Sequence, residues 1–284
     1  MFEKVNPNHP DKIADRIAGA IVDLSYKKAN GGKELCYEKH PRVAVEILIG
    51  HKYCFIINET SEHIEEDEIY EILTRILRCS VLNIKDVIKL QYIEVPQDVR
   101  LASNQAKGLR CGDNGIFKGV PITDEERELT RVAQCIYEAY PYDGKYIINN
   151  KDIIACQSNC KKLPIKTKAF NPLGYWTGGL NSDVGVCGRK IGSDLGESIT
   201  GGNINGKDLS KADVSANIVC HILAQYWNCI VTACCAIGDE DIRFVGDKTY
   251  LVEEMSFKDV VKKASEYIKS IGGFEKLAEW GLIR

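Results

Sequence analysis

Residues 42–59 have the sequence RVAVEILIGHKYCFIINE, and this stretch decides the fold class together with the two segments that follow it. Valine, isoleucine and aromatic residues dominate 42–50 and 52–59, which is typical of two adjacent β-strands. Residues 66–82 then repeat apolar side chains at helical spacing, and 87–95 is a further predicted strand. Strands that alternate with an amphipathic helix predict an α/β or α+β fold, although the pattern alone does not give the topology.

The rest of the chain continues this alternation. Apolar residues at helical spacing after His9-Pro10 predict a helix, and Pro10 suits its first position because proline has no N–H to leave unpaired. Helices are also predicted at 124–140, 213–227 and 257–271, and strands at 145–149, 152–156 and 229–237. Residues 96–119 show no period and predict a long loop. Glycine recurs through 171–206, a composition that lets backbone approach a ligand closely.

The composition of the 284 residues excludes several classes of protein. The 40 acidic and 37 basic side chains give a net charge of −3, which is too balanced for electrostatic binding to nucleic acid or to an anionic membrane. The longest apolar stretch, 229–238, is too short to cross a bilayer. The first residues lack the apolar segment of a signal peptide. We therefore expect a soluble cytoplasmic protein.

Twelve cysteines would indicate disulfides in a small secreted domain, but this chain is long. Most of the cysteines lie in apolar strand-like or helix-like runs, where a reduced thiol acts as a small hydrophobic residue. Cys156 and Cys160 are closely spaced without a second pair or a nearby histidine, so we do not predict a zinc site there.

Two polar segments have the residue types that bind a polyphosphate with a metal ion. His9-Pro10-Asp11-Lys12 places an imidazole, a carboxylate and an amine at a predicted helix N-terminus, where the helix end attracts anions. Residues 201–208, GGNINGKD, resemble a P-loop, except that Asp208 replaces the serine or threonine that would hold magnesium. A solvated helix start and a solvated turn are the alternative interpretations of the two segments, and they stay open at this point.

Five separated motifs occur in the order seen in S-adenosylmethionine synthetases, also called methionine adenosyltransferases, and the chain resembles that family over residues 1–238. The motifs are HPDKIAD at 9–15, GDNG at 112–115, DGK at 143–145, DVGVCGRK at 183–190 and GKDLSKAD at 206–213. The chain is short for the family, and the shortening is expected between Cys156 and Lys168 and in the C-terminal third.

The resemblance implies three similar subdomains, each a β-sheet with helices, related by pseudo-threefold symmetry. We expect an N-terminal subdomain at 1–95, a lid loop at 96–110, a shortened central subdomain at 111–170 and a C-terminal subdomain at 171–284. The resemblance also implies a homodimer with shared active sites, with a dimer of dimers as a further possibility. The implied reaction is attack of the methionine sulfur on the 5′ carbon of ATP, followed by hydrolysis of the released triphosphate. Two Mg²⁺ ions and K⁺ are the implied cofactors.

The resemblance also assigns roles to individual residues. The implied catalytic residues are His9, Lys12, Arg189 and Lys207. The implied ATP-binding residues are these four with Asp113, Asp143, Lys145, Trp176, Asp183 and Lys190. Methionine would be bound by Glu59, Asp113, Asp183 and Lys211. The implied metal ligands are Asp11 and Asp213 for Mg²⁺ and Glu46 for K⁺.

Several residues depart from the family pattern. Asn8 stands where a glycine is usual, Asn114 replaces a glutamine, and Tyr175-Trp176 replaces an arginine-phenylalanine pair that contacts the nucleotide. Val95 aligns with the glutamine that reaches methionine. The sequence therefore predicts a minimal S-adenosylmethionine synthetase. The alternatives are an enzyme of the same fold that uses a methionine analogue, and a non-catalytic nucleotide-binding protein that regulates a true synthetase.

Overall fold

The computed structural model describes residues 1–32, 34–78, 83–100, 103, 108–198, 201–248 and 250–284. The strands are β1 Phe2–Val5, β2 Val43–Gly50, β3 Tyr53–Thr60, β4 Lys89–Pro96, β5 Gly115–Gly119, β6 Gly144–Asn149, β7 Asp152–Gln157, β8 Ala169–Phe170, β9 Gly185–Val186, β10 Val231–Cys235, β11 Asp241–Gly246 and β12 Val252–Ser256. The helices are α1 Pro10–Ala29, α2 Glu66–Ile76, α3 Ile84–Val87, α4 Asp124–Ala139, α5 Ile191–Leu195, α6 Ala212–Trp227, α7 Phe257–Ile271 and α8 Phe274–Trp280.

The described strands form three four-stranded sheets with one common plan. Their orders are β9-β2-β3-β4, β1-β6-β7-β8 and β5-β10-β11-β12. Each sheet is a central hairpin with a strand from elsewhere on one side and the next strand of the chain on the other. The fourth strand is parallel to its neighbour in the first two sheets and antiparallel in the third. The predicted fold of three similar sheet-and-helix units is confirmed.

The first two hairpins also turn in the same way. His51-Lys52 and Asn150-Lys151 link their strands with φ values of 48° and 70° in both turns. Two consecutive residues with positive φ are the mark of a type I′ turn, whose twist matches that of the flanking strands. The repeated turn geometry supports the internal similarity of the two units.

Each sheet packs against its own helix. Helix α1 contacts β2, α4 contacts β1 and β6, and α6 contacts β5 and β10. Helix α1 is buried from Pro10 to Val22, and a Cβ at Gly19 would stand 2.7 Å from the carbonyl oxygen of Phe274. Glycine at this position therefore allows α8 to lie against α1. Within the described ranges, no helix combines the length and the apolar character needed to span a membrane.

The sheets cut across the subdomain boundaries expected from the sequence. Strand β1 pairs with β6, β5 with β10, and β9 with β2, so each sheet takes its outer strand from a distant part of the chain. Hydrogen bonding along a strand edge decides these partners, and proximity in sequence does not. The link between β7 and β8 contains no helix, whereas α2 and α3 lie between β3 and β4. Residues 101, 102 and 104–107 of the expected lid lie outside the described residues.

Candidate active site

His9 caps the N-terminus of α1 and is held as a neutral imidazole. Its Nδ1 accepts a hydrogen bond from the backbone N–H of Asp11 at 3.2 Å. Burial, followed by the positive charge of Lys190, lowers the pKa of His9 to about 4. An imidazole whose Nδ1 accepts has its proton on Nε2. His9 therefore presents a neutral N–H donor at the positive end of a helix.

Asp11 lies in the first turn of α1 among cationic side chains. Its Oδ2 is 2.8 Å from the Lys190 ammonium, and its Oδ1 accepts from the backbone N–H of Val186 at 2.9 Å and lies 3.7 Å from Arg189. Burial by itself raises the pKa of Asp11, but Lys190 and the Val186 N–H outweigh it and hold that pKa below its ordinary value. The motifs at 9–15 and 183–190 therefore meet through an ionised carboxylate.

A second carboxylate–lysine pair lies at the start of α6. The Lys207 ammonium is 2.6 Å from Oδ2 of Asp213, which is only 3% exposed. A Cβ at Gly201 or Gly202 would stand 2.9 or 2.7 Å from the Asp213 oxygens. Only glycine lets the backbone pass this close to the carboxylate. The glycine-rich segment and the helix start thus form a cradle around Asp213.

Segment 183–190, which contains Lys190, and segment 201–208, which contains Lys207, both run along one face of α1. Asp11 and Asp15 are one turn apart, and Ala18 follows on the same face. Val186 donates to Asp11, the Gly188 N–H donates to Asp15 at 2.8 Å, and a Cβ at Gly206 would stand 3.1 Å from the Ala18 side chain.

Asn203 joins the two segments, because its amide donates to the Cys187 sulfur at 3.2 Å and packs against Gly188. Residues far apart in sequence are therefore brought together beside α1.

Lys12 does not occupy the position expected of a phosphate ligand. Its ammonium is fully buried, 2.7 and 2.8 Å from the two oxygens of Asp194 and 3.2 Å from Oδ2 of Asp15. Burial lowers the pKa of Lys12, but the two carboxylates outweigh this effect and raise it above the ordinary value. Because these carboxylates engage the ammonium, Lys12 is part of the internal framework that fixes α5, directly after Arg189-Lys190.

Asp208, the departure from the P-loop pattern, also has a structural place. Its Oδ2 accepts from the Val43 N–H at 2.8 Å, and its Oδ1 accepts from the Ser210 N–H at 2.7 Å. The carboxylate thus fastens the 206–211 segment to the start of β2. No role was expected for Asp15 or Asp194, because a polar residue in or after a charged motif also fits a solvated surface.

Asp143 and Trp176 lie side by side at another part of the site. A Cβ at Gly178 would stand 2.6 Å from both Oδ2 of Asp143 and the Trp176 ring, and the Gly179 N–H donates to that oxygen at 3.1 Å. Burial raises the pKa of Asp143 to about 6. Asp143 also lines a cavity of 490 Å³ with Asn8, and the indole N–H of Trp176 donates to the side chain of Asn171 at 3.3 Å. A carboxylate beside an aromatic face suits a nucleoside.

The remaining predicted site residues are more exposed. Lys145 is 43% exposed and 3.0 Å from Glu3, and its charge contributes to the lowered pKa of His9. Asp183 is exposed and acts on the same pKa in the opposite direction. Asp113 is also exposed and accepts from the Asn114 N–H at 2.8 Å, just before β5.

Glu59, one of the residues assigned to methionine, lies in a row of paired residues across the first sheet. Val95 pairs with Glu59, Glu59 pairs with Ala44, and Ala44 bridges to Lys207. Side chains of laterally paired residues share one face of a sheet. The row therefore links the position of the missing glutamine to Lys207. Lys211 lies farther along the chain, as the residue that precedes α6.

Asp11 and Asp213 have the donor chemistry that magnesium requires. Magnesium is usually held by one or two carboxylates together with substrate phosphates. Among the described residues, no group of three or more histidine, cysteine, aspartate or glutamate side chains could form a complete protein cage. Two separate carboxylates, one of them in a glycine cradle, fit an ion that arrives with a polyphosphate. Glu46 is an exposed carboxylate on β2, and its K⁺ role stays a prediction.

Comparisons with known proteins show which sequences and folds this chain resembles. No family model matches the chain. Proteins of Mycoplasma capricolum subsp. capricolum and Mycoplasma mycoides subsp. mycoides, both named S-adenosylmethionine synthase, are 25% identical over 287 aligned residues. Each alignment covers 78% of this chain and 71% of the relative.

A solved structure, described as an unusual S-adenosylmethionine synthetase from Campylobacter jejuni, matches the fold with a TM-score of 0.71 at 19% identity. That match covers 99% of this chain and 94% of the other. In sequence, this chain is therefore similar to proteins named S-adenosylmethionine synthase, and its fold is similar to that of a solved S-adenosylmethionine synthetase, as its motifs predicted.

Proposed function

We propose that this protein is a methionine adenosyltransferase, which makes S-adenosylmethionine from ATP and L-methionine. The methionine sulfur attacks the 5′ carbon of ATP, and the whole triphosphate leaves and is then hydrolysed to phosphate and pyrophosphate. The observation that carries this proposal is the arrangement of the Asp11–Lys190 and Asp213–Lys207 pairs on segments that run along one face of α1.

The two pairs provide what this reaction needs most. A thioether is a weak neutral nucleophile, so the acceleration depends on positioning and on stabilising the highly charged leaving group. Lys190, Lys207 and Arg189 bring three positive charges to this region, and the carboxylates hold them ready while no anion is bound. Magnesium held by Asp11 and Asp213 would neutralise further phosphate charge.

His9 supports the departure of the triphosphate by hydrogen bonding. Its pKa of about 4 keeps the ring neutral at physiological pH, so it can donate from Nε2 without losing a proton. Charge appears on the leaving oxygen only as the bond to carbon breaks. A donor directed at that oxygen therefore lowers the barrier more than it strengthens the binding of ATP.

The remaining residues of the site would bind the nucleoside part of ATP and the methionine. Asp143 would accept from the ribose hydroxyls while Trp176 stacks on adenine, because the two side chains are separated only by Gly178. The other nucleotide contacts would come from Lys145, Asp113 and Asp183. Methionine would also be bound by Asp113 and Asp183. Glu59 and Lys211 would bind the charged groups of methionine.

We propose a homodimer that completes each site. The face of the first sheet that bears Glu59 and Glu46 also exposes large apolar side chains, with Ile57 and Ile93 both 52% exposed. Leu48 and Phe55 extend this surface. An apolar sheet face of this kind marks a protein interface. Since the predicted methionine and potassium ligands lie on it, a partner seated there would share the active site.

Val95 supports a second candidate, which is the same reaction with a methionine analogue. A glutamine at this place could donate to the amino acid, whereas Val95 offers only an apolar surface beside Glu59. An enzyme with this change would discriminate less against thioether amino acids that lack the matching polar group.

Product analysis with the pure protein tests both candidates. ATP, methionine, Mg²⁺ and K⁺ should yield S-adenosylmethionine by mass spectrometry together with phosphate and pyrophosphate, and Asp213→Asn should lose the product. Asp241→Asn, an exposed change on β11, is the matched control. A panel of methionine analogues in the same assay identifies the substrate. Nucleotide binding without product from any thioether would contradict the proposal and favour a regulatory protein.

A further inference from the structure

Two cysteines outside the proposed substrate contacts lie against each other. The sulfur atoms of Cys111 and Cys235 are 2.9 Å apart, although the residues are far apart in the chain. Both residues are buried. A disulfide bond is about 2.05 Å long, so the two sulfurs need to approach by only about 1 Å to be joined.

The surrounding backbone holds the two cysteines in register. The N–H of Cys111 donates to the Asp239 carbonyl at 3.0 Å, and its own carbonyl accepts from the Gly238 N–H at 2.8 Å. Cys235 pairs with Gly115 across β10 and β5. The pair therefore closes the base of the 112–115 turn, where the GDNG motif lies.

Both thiols also converge on one backbone carbonyl. The oxygen of Asp113 is 3.0 Å from the Cys111 sulfur and 3.6 Å from the Cys235 sulfur. The hydrogen bond between the two thiols lowers the pKa of Cys111 and raises that of Cys235, so Cys111 is the sulfur that ionises first and attacks a disulfide. The state of these two sulfurs is thus coupled to the position of Asp113.

We propose that Cys111 and Cys235 are a dithiol–disulfide switch, in which oxidation joins the two sulfurs and disables the substrate site at Asp113. The oxidant is a small-molecule disulfide. The Cys111 thiolate attacks it and releases one small thiolate, and the Cys235 thiolate then attacks the Cys111 sulfur and releases the second. The protein thus gives two electrons and its two thiol protons, and the small disulfide becomes two thiols.

Oxidation acts on the site through the hydrogen bonds that it removes. A disulfide has no S–H, so the Asp113 carbonyl loses both thiol donors at once. The turn must then rearrange to find new partners. This consequence for activity rests on the proposed function, whereas formation of the disulfide does not.

The test is treatment of the pure protein with glutathione disulfide, followed by non-reducing peptide mapping. We expect a linked pair of peptides that contains Cys111 and Cys235, loss of S-adenosylmethionine formation, and recovery of both with dithiothreitol. Cys111→Ser removes the thiol that attacks first, so this variant should lose the linked pair and keep its activity under the oxidant. Cys234→Ser, an exposed change on the same strand, is the matched control and should respond like the unchanged protein.

Each outcome of this test separates the two proposals. If Cys111 and Cys235 are never linked, the switch is refuted whatever the activity. If they are linked and the protein remains fully active, the effect on Asp113 is refuted. A linked pair in a protein that makes no product even when reduced contradicts the proposed function and leaves the disulfide standing.

Discussion

Replacement of Lys12 by methionine separates a structural role for this lysine from a role in phosphate binding. The change keeps much of the side-chain length but removes the charge, and it leaves Asp15 and Asp194 buried at 0% and 1% exposure without their shared cation. Removing one partner of a buried ion pair costs about 3–5 kcal/mol. With a urea m-value of about 3 kcal/mol per molar, the unfolding midpoint should fall by about 1–1.7 M.

The loss of stability caused by Lys12→Met should also depend on pH. Burial raises the pKa of Asp15 to about 6, above its value in the unfolded chain, even though Lys12 lowers it; without Lys12 this pKa rises further. The folded state therefore takes up a proton on Asp15 as the pH falls through 6, and the unpaired negative charge disappears. We expect the deficit to be larger at pH 8 than at pH 5, as measured by urea unfolding at both values.

Lys28→Met on the same helix is the matched control. Lys28 is paired with Glu68 at the surface, with side chains 28% and 31% exposed, so its loss should cost less than about 1 kcal/mol. If Lys12→Met unfolds at the same urea concentration as the unchanged protein but no longer binds triphosphate, the structural role is wrong. The phosphate contact predicted from the sequence would then be right.

Three further changes test other parts of the structure. In steady-state kinetics, His9→Ala should lower turnover by about 10²–10³-fold with little effect on ATP affinity, and equal losses in turnover and affinity would contradict this role. Turnover of the unchanged protein should show no His9 titration between pH 6 and 8. Nucleotide affinity should fall as the pH drops below about 6, where Asp143 becomes protonated, and Asp143→Asn should remove that dependence in calorimetric titrations. Asp23→Ala removes the acceptor for the Phe274 and Glu275 N–H groups at the start of α8, so urea unfolding should show a loss of about 1–2 kcal/mol.

The sequence predicted most of the regular elements because their signals are local. Proline at the first helical position and apolar spacing located α1, and apolar spacing over 66–82 located α2. In the structure, Glu65 and Glu68 form a capping box at the start of α2. The type and approximate limits of the hairpin strands likewise followed from composition. These features depend on neighbours within one or two turns of the chain.

Features that depend on distant neighbours could not be predicted in this way. Strand β9 is only two residues long and exists because β2 offers it an edge. Asp194 would be read locally as a solvated residue, yet Lys12 neutralises it from far away in the chain. Lys4 is fully buried because its ammonium donates to the carbonyls of Ser193, Trp280 and Ile283. Such pairings become visible only when the fold brings their partners together.

If Lys190 and Lys207 bind the same polyphosphate, calorimetric titration of Mg²⁺–tripolyphosphate should show weakened binding in both Lys190→Met and Lys207→Met. A hydrogen bond to a charged group is worth about 1.5–3 kcal/mol, so each change should weaken binding at a single site by about 10–100-fold. Lys262→Met, an exposed change on α7, should have no effect. Unchanged affinity in either lysine variant of the site would show that the two lysines do not bind the same polyphosphate.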